Sequence, residues 1–283
     1  MKRRELADIL NRLQMHPSKA LGQNFLVDEN CLDALAREAN PQPGEAILEV
    51  GPGLGALTQR LLQAGSHVTA IEFDSRLAAY LRQKWGSLPH FQLREEDACK
   101  TDYDALFPQG TPYRCVANLP YSCASVILAR MTSAQNPPKS LHVLLQKEMA
   151  ERLAAQAGTP QYGLLTVRLA FQYQARLARP VPRGVFFPPP EVDSAFLALE
   201  ARPTPLAPPD LREKAARLAA AAFAQRRKQA RKLLEPLLPN ANVTALLEEL
   251  GLPPTARAEV ITPQQYILLA QADGNRSLRL PGQ

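Results

Sequence analysis

Apolar and polar positions alternate along the chain in two rhythms, short apolar runs and helical stripes. Ala46 to Leu48 reads as a buried strand that stops at Gly51, Gly53 and Gly55, three glycines spaced two apart. Ala56 to Gln63 carries Leu57, Leu61 and Leu62 at helical spacing, with Gly65 as its C-terminal stop. His67 to Asp74 is β-rich and ends in acids, Arg76 to Trp85 continues as a helix, and Phe91 to Leu93 makes a third strand. Another strand enters Val116 to Tyr121 and is stopped by Pro120; Ser122 to Met131 is helical and Leu141 to Leu145 extended. Lys147 to Gln156 and Gly163 to Phe171 repeat the helical pattern, and Ser194 to Glu200 alternates as a strand. Upstream, Asp28 is placed to cap a helix whose apolar face is Leu32, Leu35, Ala36 and Ala39, closed by Pro41 and Gly44. The alternation places the chain in the α/β class.

From Arg202 to Asp210 the composition shifts, with four prolines in a short polar segment. We place a linker there, dividing residues 1–203 from a smaller all-helical domain, 204–283. Its helices are read at Leu211 to Ala224, Gln225 to Leu234, Val243 to Leu250 and Pro263 to Ala272. The formal charge is +6, and from Asp210 onward eleven basic residues stand against seven acids, so the basic excess concentrates in the smaller domain. Within it Arg226, Arg227, Lys228, Arg231 and Lys232 fall on one or two helical turns with no acid between them. Phosphates would relieve their repulsion; a solvated face is the plainer alternative. The first 20 residues carry Lys2, Arg3, Arg4, Arg12 and Lys19 and read either as a solvated, partly mobile leader or as a phosphate contact. No run approaches 18 apolar residues, and the charged N-terminus lacks the apolar segment of a secretory signal. Four scattered cysteines read as reduced residues of a cytoplasmic protein, and with four isolated histidines no metal site is expected.

Strand, glycine turn and helix is the layout that lets backbone approach a nucleotide-like ligand without side chains in the way. Glu72 lies 21 residues past Gly51, where a nucleotide fold places a carboxylate on ribose hydroxyls. Asp97-Ala98, just past the third strand, suits an exocyclic amino group at the sheet rim. Asn118-Leu119-Pro120-Tyr121 brings an amide and an aromatic ring to the carboxyl edge of the sheet, where open α/β sheets bind ligands. Val185 to Asp193 is a stiff, proline-set loop.

Joined in this order, the segments resemble the bacterial small-subunit ribosomal RNA adenine dimethyltransferases. The resemblance covers Gly22 to Leu26, Glu49 to Gly55, Glu72, Asp97-Ala98, Asn118 to Tyr121, Leu145 to Glu148, Phe186 to Ser194 and Phe223 to Lys228. It departs at Ser122 to Ser125, where family members commonly carry an isoleucine, a hydroxyl residue and often a proline. The resemblance implies a class I methyltransferase with a Rossmann-like sheet and a small helical C-terminal domain. It implies S-adenosylmethionine held by Asn24, Leu26, Gly51, Glu72 at the ribose and Asp97 at the adenine, the set extending to Gln23, Glu49, Gly53, Gly55, Phe73 and Ala98. Asn118 then bridges cofactor pocket and target base. The implied substrate is a pair of adjacent adenines near the 3′ end of 16S rRNA in the small ribosomal subunit, with the basic helical domain on RNA backbone and the enzyme a monomer.

An exocyclic adenine nitrogen is a poor nucleophile because its lone pair is delocalised into the ring. Acceptors on its hydrogens, the Asn118 side-chain oxygen and the Leu119 carbonyl, would localise that pair. Tyr121 and Phe186 would clamp the extruded base, with Phe187 the alternative to Phe186. Two rivals remain: a large-subunit methyltransferase of the antibiotic-resistance branch, and a non-catalytic RNA-binding assembly factor on the same fold.

Overall fold

The computed structural model describes residues 3–18 and 22–272. Lys2, Lys19 and the Ala20-Leu21 pair lie outside the described residues, as does the side chain of Arg3. In chain order the elements begin with α1 (Arg3–Arg12), β1 (Phe25–Leu26), α2 (Glu29–Ala39), β2 (Ala46–Val50), α3 (Ala56–Gln63) and β3 (His67–Glu72). Next come α4 (Ser75–Trp85), β4 (Phe91–Glu95), β5 (Arg114–Asn118), α5 (Ala124–Thr132), β6 (Ser140–Gln146) and α6 (Lys147–Leu153). The remainder are α7 (Leu164–Ala170), β7 (Tyr173–Val181), β8 (Phe186–Phe187), β9 (Ser194–Ala201), α8 (Pro209–Ala224), α9 (Ala230–Leu234), α10 (Val243–Glu249) and α11 (Pro263–Ala272).

Seven strands form one sheet in the order β4-β3-β2-β5-β6-β9-β7, and β1 pairs separately with β8. β2 runs parallel to both β3 and β5, so the connections leave it in opposite directions. That reversal opens a crevice at the carboxyl ends of β2 and β5. Ile47, Leu48 and Val50 of β2 are buried, the near-continuous apolar run expected of a strand covered on both faces. Antiparallel β9 follows β6 in register from Ser140↔Glu200 to Gln146↔Ser194, which brings Ser194 to the same edge of the sheet. Asp28 caps α2 as expected, its carboxylate accepting from the Cys31 amide at 2.7 Å.

The chain forms two compact units, Met1–Ala150 with Arg176–Glu200, and Glu151–Ala175 with Ala201–Gln283. The expected division lies at residue 203, whereas Glu151–Ala175 belongs to the second unit. Tyr162, Val167 and Phe171 pack with Leu218, Ala219, Ala222 and Ile267 of the helical unit, and the Tyr162 hydroxyl donates to the Ile261 carbonyl at 3.0 Å. Local pattern marks 164–170 as helical but carries no record of which distant surface covers it.

Two further expectations are corrected, and one strand is additional. The N-terminal segment is not simply a solvated leader: Leu6, Ile9, Leu10 and Met15 are buried against Phe25, Val27, Leu54 and Leu77. The strand β7 was not foreseen. The basic run does not open on a helix, because α8 ends at Ala224 and Arg226 to Lys228 occupy the turn before α9. No helix among the described residues is long and apolar enough to cross a membrane.

Candidate active site

A cavity of about 360 Å³ opens at the carboxyl ends of β2, β3 and β5. Its wall includes Gln23, Asn24 and Leu26, then Glu49, Gly51, Gly53, Glu72 and Phe73, and on the far side Asp97, Ala98, Asn118, Leu119, Pro120 and Tyr121. Of the expected set for cofactor and base, Gly55, Phe186 and its alternative Phe187 are not in it.

The glycine turn is built by backbone that side chains would obstruct. At Gly53 φ is +60°, and an added Cβ would meet the Phe25 ring at 3.1 Å. The turn hands the Gly53 amide to Glu72 Oε2 at 3.1 Å, while Glu72 Oε1 accepts from the Asp74 amide at 3.0 Å. The carboxylate at the end of β3 is thus held in one orientation, with lone pairs left toward the cavity. Burial pushes Glu72 up to about 7. Glu49, 1% exposed, accepts from Thr58 Oγ1 at 2.6 Å. Burial, helped by the Glu72 charge, raises it to about 8. Burial works against ionised Asp74 too, but hydrogen bonds and charge from Arg76 hold it below its ordinary value.

Two raised carboxyls make a pH-dependent site. Between the ordinary carboxylate range and pH 7–8 the folded chain holds protons that the unfolded chain releases, so the stability carried by Glu49 and Glu72 falls as pH rises through that window. A ligand whose hydroxyls donate to Glu72 favours the ionised form, so its affinity should rise with pH and level off above about 7. Calorimetric titration of S-adenosylmethionine from pH 5.5 to 8.5 checks this; Glu72→Gln should bind more weakly with a flattened profile.

At the rim, Asp97 Oδ1 accepts from the Cys99 amide at 2.9 Å and Oδ2 stands 3.6 Å from Lys100 Nζ. The Ala98 carbonyl is taken by the Tyr103 hydroxyl at 2.8 Å. Phe73 is 59% exposed beside Glu72, an apolar ring at the mouth of a polar site. Gln23 spans Ser18 and Asp74, its Oε1 accepting from the Ser18 amide at 2.8 Å and its Nε2 donating to Asp74 Oδ2 at 3.4 Å.

On the opposite wall the Asn118 amide donates from Nδ2 to the Asn24 carbonyl at 3.2 Å. Its Oδ1 is buried and has no partner among the described residues. An unmet buried acceptor costs about 1–3 kcal/mol, a cost a donor in the cavity would offset. Tyr121 is fixed by a 2.6 Å bond between its hydroxyl and Ser194 Oγ, and burial pushes its phenol up to about 12. Phe186 is fully buried with Leu26, Leu35, Val116 and Phe196, and meets Tyr121 edge-on at 6.4 Å between centroids. No ring face is left for a base, which corrects its expected role as clamp. Half-buried Phe187 pairs with Phe25.

Thr58 and Ser194 are functional supports that the motif reading missed. Thr58 lies on the first turn of α3, nine residues after Glu49, and Ser194 closes the proline loop. In the second unit Arg226 donates to the carbonyls of Pro160 and Tyr162 at 3.1 and 3.2 Å, and Arg231 pairs with Glu235. Arg227, Lys228 and Lys232 are exposed and form no ion pair among the described residues.

Strand order, the switch beside β2 and the acids at successive strand ends make this a class I methyltransferase. Residues 15–272 match the family described as ribosomal RNA adenine dimethylase, and the chain belongs to it. It is 41% identical over 272 residues to ribosomal RNA small subunit methyltransferase A of Novosphingobium aromaticivorans, covering 94% of this chain and 96% of that protein. The protein of that name from Brucella abortus is 38% identical over 271 residues, with the same coverage. Among solved structures, the 23S rRNA methyltransferase ErmE superposes with TM-score 0.69 at 27% identity, over 89% of this chain and all of that one. A dimethyladenosine transferase from Plasmodium falciparum gives TM-score 0.74 at 24% identity, over 88% and 98%, and shows the shared fold.

Proposed function

We propose that this enzyme transfers methyl groups from S-adenosylmethionine to N6 of two adjacent adenines near the 3′ end of 16S rRNA, within the small subunit, as a step in ribosome biogenesis. It would act as a cytoplasmic monomer and without a metal. The observation that carries the reading is the unmet, buried Oδ1 of Asn118, a residue in the wall of the cavity that the glycine turn and Glu72 complete. The residues fit the cofactor: a buried, oriented carboxylate suits ribose hydroxyls, and Asp97 with exposed Phe73 suits a purine edge and face.

When bound, the cofactor supplies an electrophilic methyl group. Asn118 Oδ1 and the Leu119 carbonyl accept the hydrogens of the adenine amine, draw its lone pair out of the ring and stabilise the charge that develops on nitrogen. No base of shifted pKa is required, since the proton becomes acidic only as the new bond forms. Tyr121, anchored on Ser194, supports one face of the extruded base. With Phe186 sealed away, Phe187, half-buried and outside the cavity wall, is the ring left that could move to cover the other face. Arg227, Lys228 and Lys232 would meet RNA backbone, while Arg226 also secures residues 160–162.

Small-subunit specificity draws support from the names and coverage of the 38–41% identical relatives, against 27% for ErmE. Incubation with isolated 30S or 50S particles and labelled cofactor tests it. Dimethyladenine in the 16S rRNA of 30S particles is the expected product; label in 50S particles alone would overturn the assignment.

A further inference from the structure

The edge strand β7 and the loop after it hold a feature that the fold does not need. From Tyr173 to Pro190 the chain carries Arg176, Arg179 and Arg183 and no acid. Arg176 is engaged by Glu38. Arg179 is exposed and has no ion pair among the described residues. Arg183 is exposed as well; its Nη1 donates to the Glu191 carbonyl at 3.3 Å and its backbone amide to Asp193 Oδ1 at 2.9 Å, leaving other guanidinium N–H groups outward.

This stretch runs directly into the base site. The Val185 carbonyl accepts from the Val27 amide at 2.9 Å, and Phe186-Phe187 pair with Leu26-Phe25, the neighbours of Asn24 that holds Asn118. Asp193, which orients Arg183, precedes Ser194, which holds Tyr121. Of the nearby acids Glu38 is paired with Arg176, Asp28 and Asp193 accept from the Cys31 and Arg183 amides, and exposed Glu191 is the one carboxylate beside Arg183 with no partner among the described residues.

We propose that Arg179 and Arg183 form a phosphate track beside the target pocket, holding the single-stranded RNA that flanks the extruded adenine. This rests on the RNA-methyltransferase reading above. Charge complementarity and continuity with the base site name the occupant. A peptide strand added to the edge is disfavoured because Pro180 and Pro182 offer no amide hydrogens there. The partner is met by guanidinium groups, which suit phosphate oxygens.

The test compares wild-type protein with Arg179→Gln/Arg183→Gln and with the corresponding double lysine variant. Its readouts are filter binding to a single-stranded 16S-derived RNA across a salt series, and KM on 30S particles. The glutamine pair should raise KM about tenfold, and losing two phosphate contacts should flatten the slope of log affinity against log salt by about 1.4. Cofactor affinity should be unchanged, and lysine should restore most of the slope. Wild-type salt slope and KM in the glutamine pair would overturn the proposal, as would loss of cofactor affinity in step with RNA affinity. A wild-type protein that labels no particle would instead sink the catalytic reading, with the salt series still reporting on the track.

Discussion

Asn118→Ala is expected to slow methyl transfer about a hundred- to a thousandfold while cofactor and particle affinities change only a few fold. The substitution removes a buried, unpartnered acceptor on a residue of the cavity wall, so in the proposed role its effect would fall on the reacting amine rather than on docking. It also frees the Asn24 carbonyl from Nδ2, which sets the modest change in cofactor affinity. Asn118→Asp separates the two contributions. It keeps an acceptor of the same shape but loses the donor to Asn24 and sets a carboxylate against that carbonyl. Single-turnover transfer from labelled cofactor to 30S particles is the measurement, and a rate within tenfold of wild type in Asn118→Ala would refute the role given to this amide.

Gly55→Ala should cost about 2–4 kcal/mol of stability, a large effect for one methyl group. A Cβ there would stand 2.2 Å from Cζ3 and 2.4 Å from Cη2 of Trp85, with Leu81 Cδ2 at 3.0 Å. Half-buried Trp85 packs edge-on against Phe91 at 5.8 Å with Lys84 Nζ 4.3 Å over its ring, contacts it would give up in moving aside. The backbone adds a second penalty, because φ at Gly55 is +77°. The third glycine therefore serves the seating of α4 on the turn rather than direct ligand contact, consistent with its absence from the cavity wall. Urea denaturation of wild type and variant checks this; a loss below about 1 kcal/mol would show that the tryptophan gives way freely.

Local pattern was informative where one segment decides its own structure. The run Ala46 to Leu48, the glycine stop and the stripe Leu57-Leu61-Leu62 specify β2, its turn and α3 without help from elsewhere. Asp28 and Asp74 cap their helices by bonds that reach only two or three residues ahead. What stayed hidden depends on distant partners. In β7, two exposed arginines and Pro180 mask the two buried ends, Tyr173 and Val181, so neither rhythm stands out. In α1, Leu6, Ile9 and Leu10 sit at helical spacing, but the surrounding charges drew the reading toward solvent. Phe186 and Phe187 are adjacent and alike in chemistry; only the pairing of β8 with β1 turns one inward and leaves the other half-buried. The site was therefore readable as a set of motifs, while its supports, Thr58 and Ser194, became visible only once strands and helices were in register.

The short bond between Tyr121 and Ser194 bears on how many times one nitrogen can be modified. A ring pinned at its far end keeps its plane whatever the base carries, and a methylated purine is no thicker than an unmodified one. With the roles proposed for Asn118 and Leu119, selection between first and second transfers would rest on the amine edge, where the two acceptors would release one hydrogen and accommodate a carbon in its place. Loosening the Ser194 anchor would blur which base enters, whereas enlarging the space beside Asn118 would change the ratio of singly to doubly modified product.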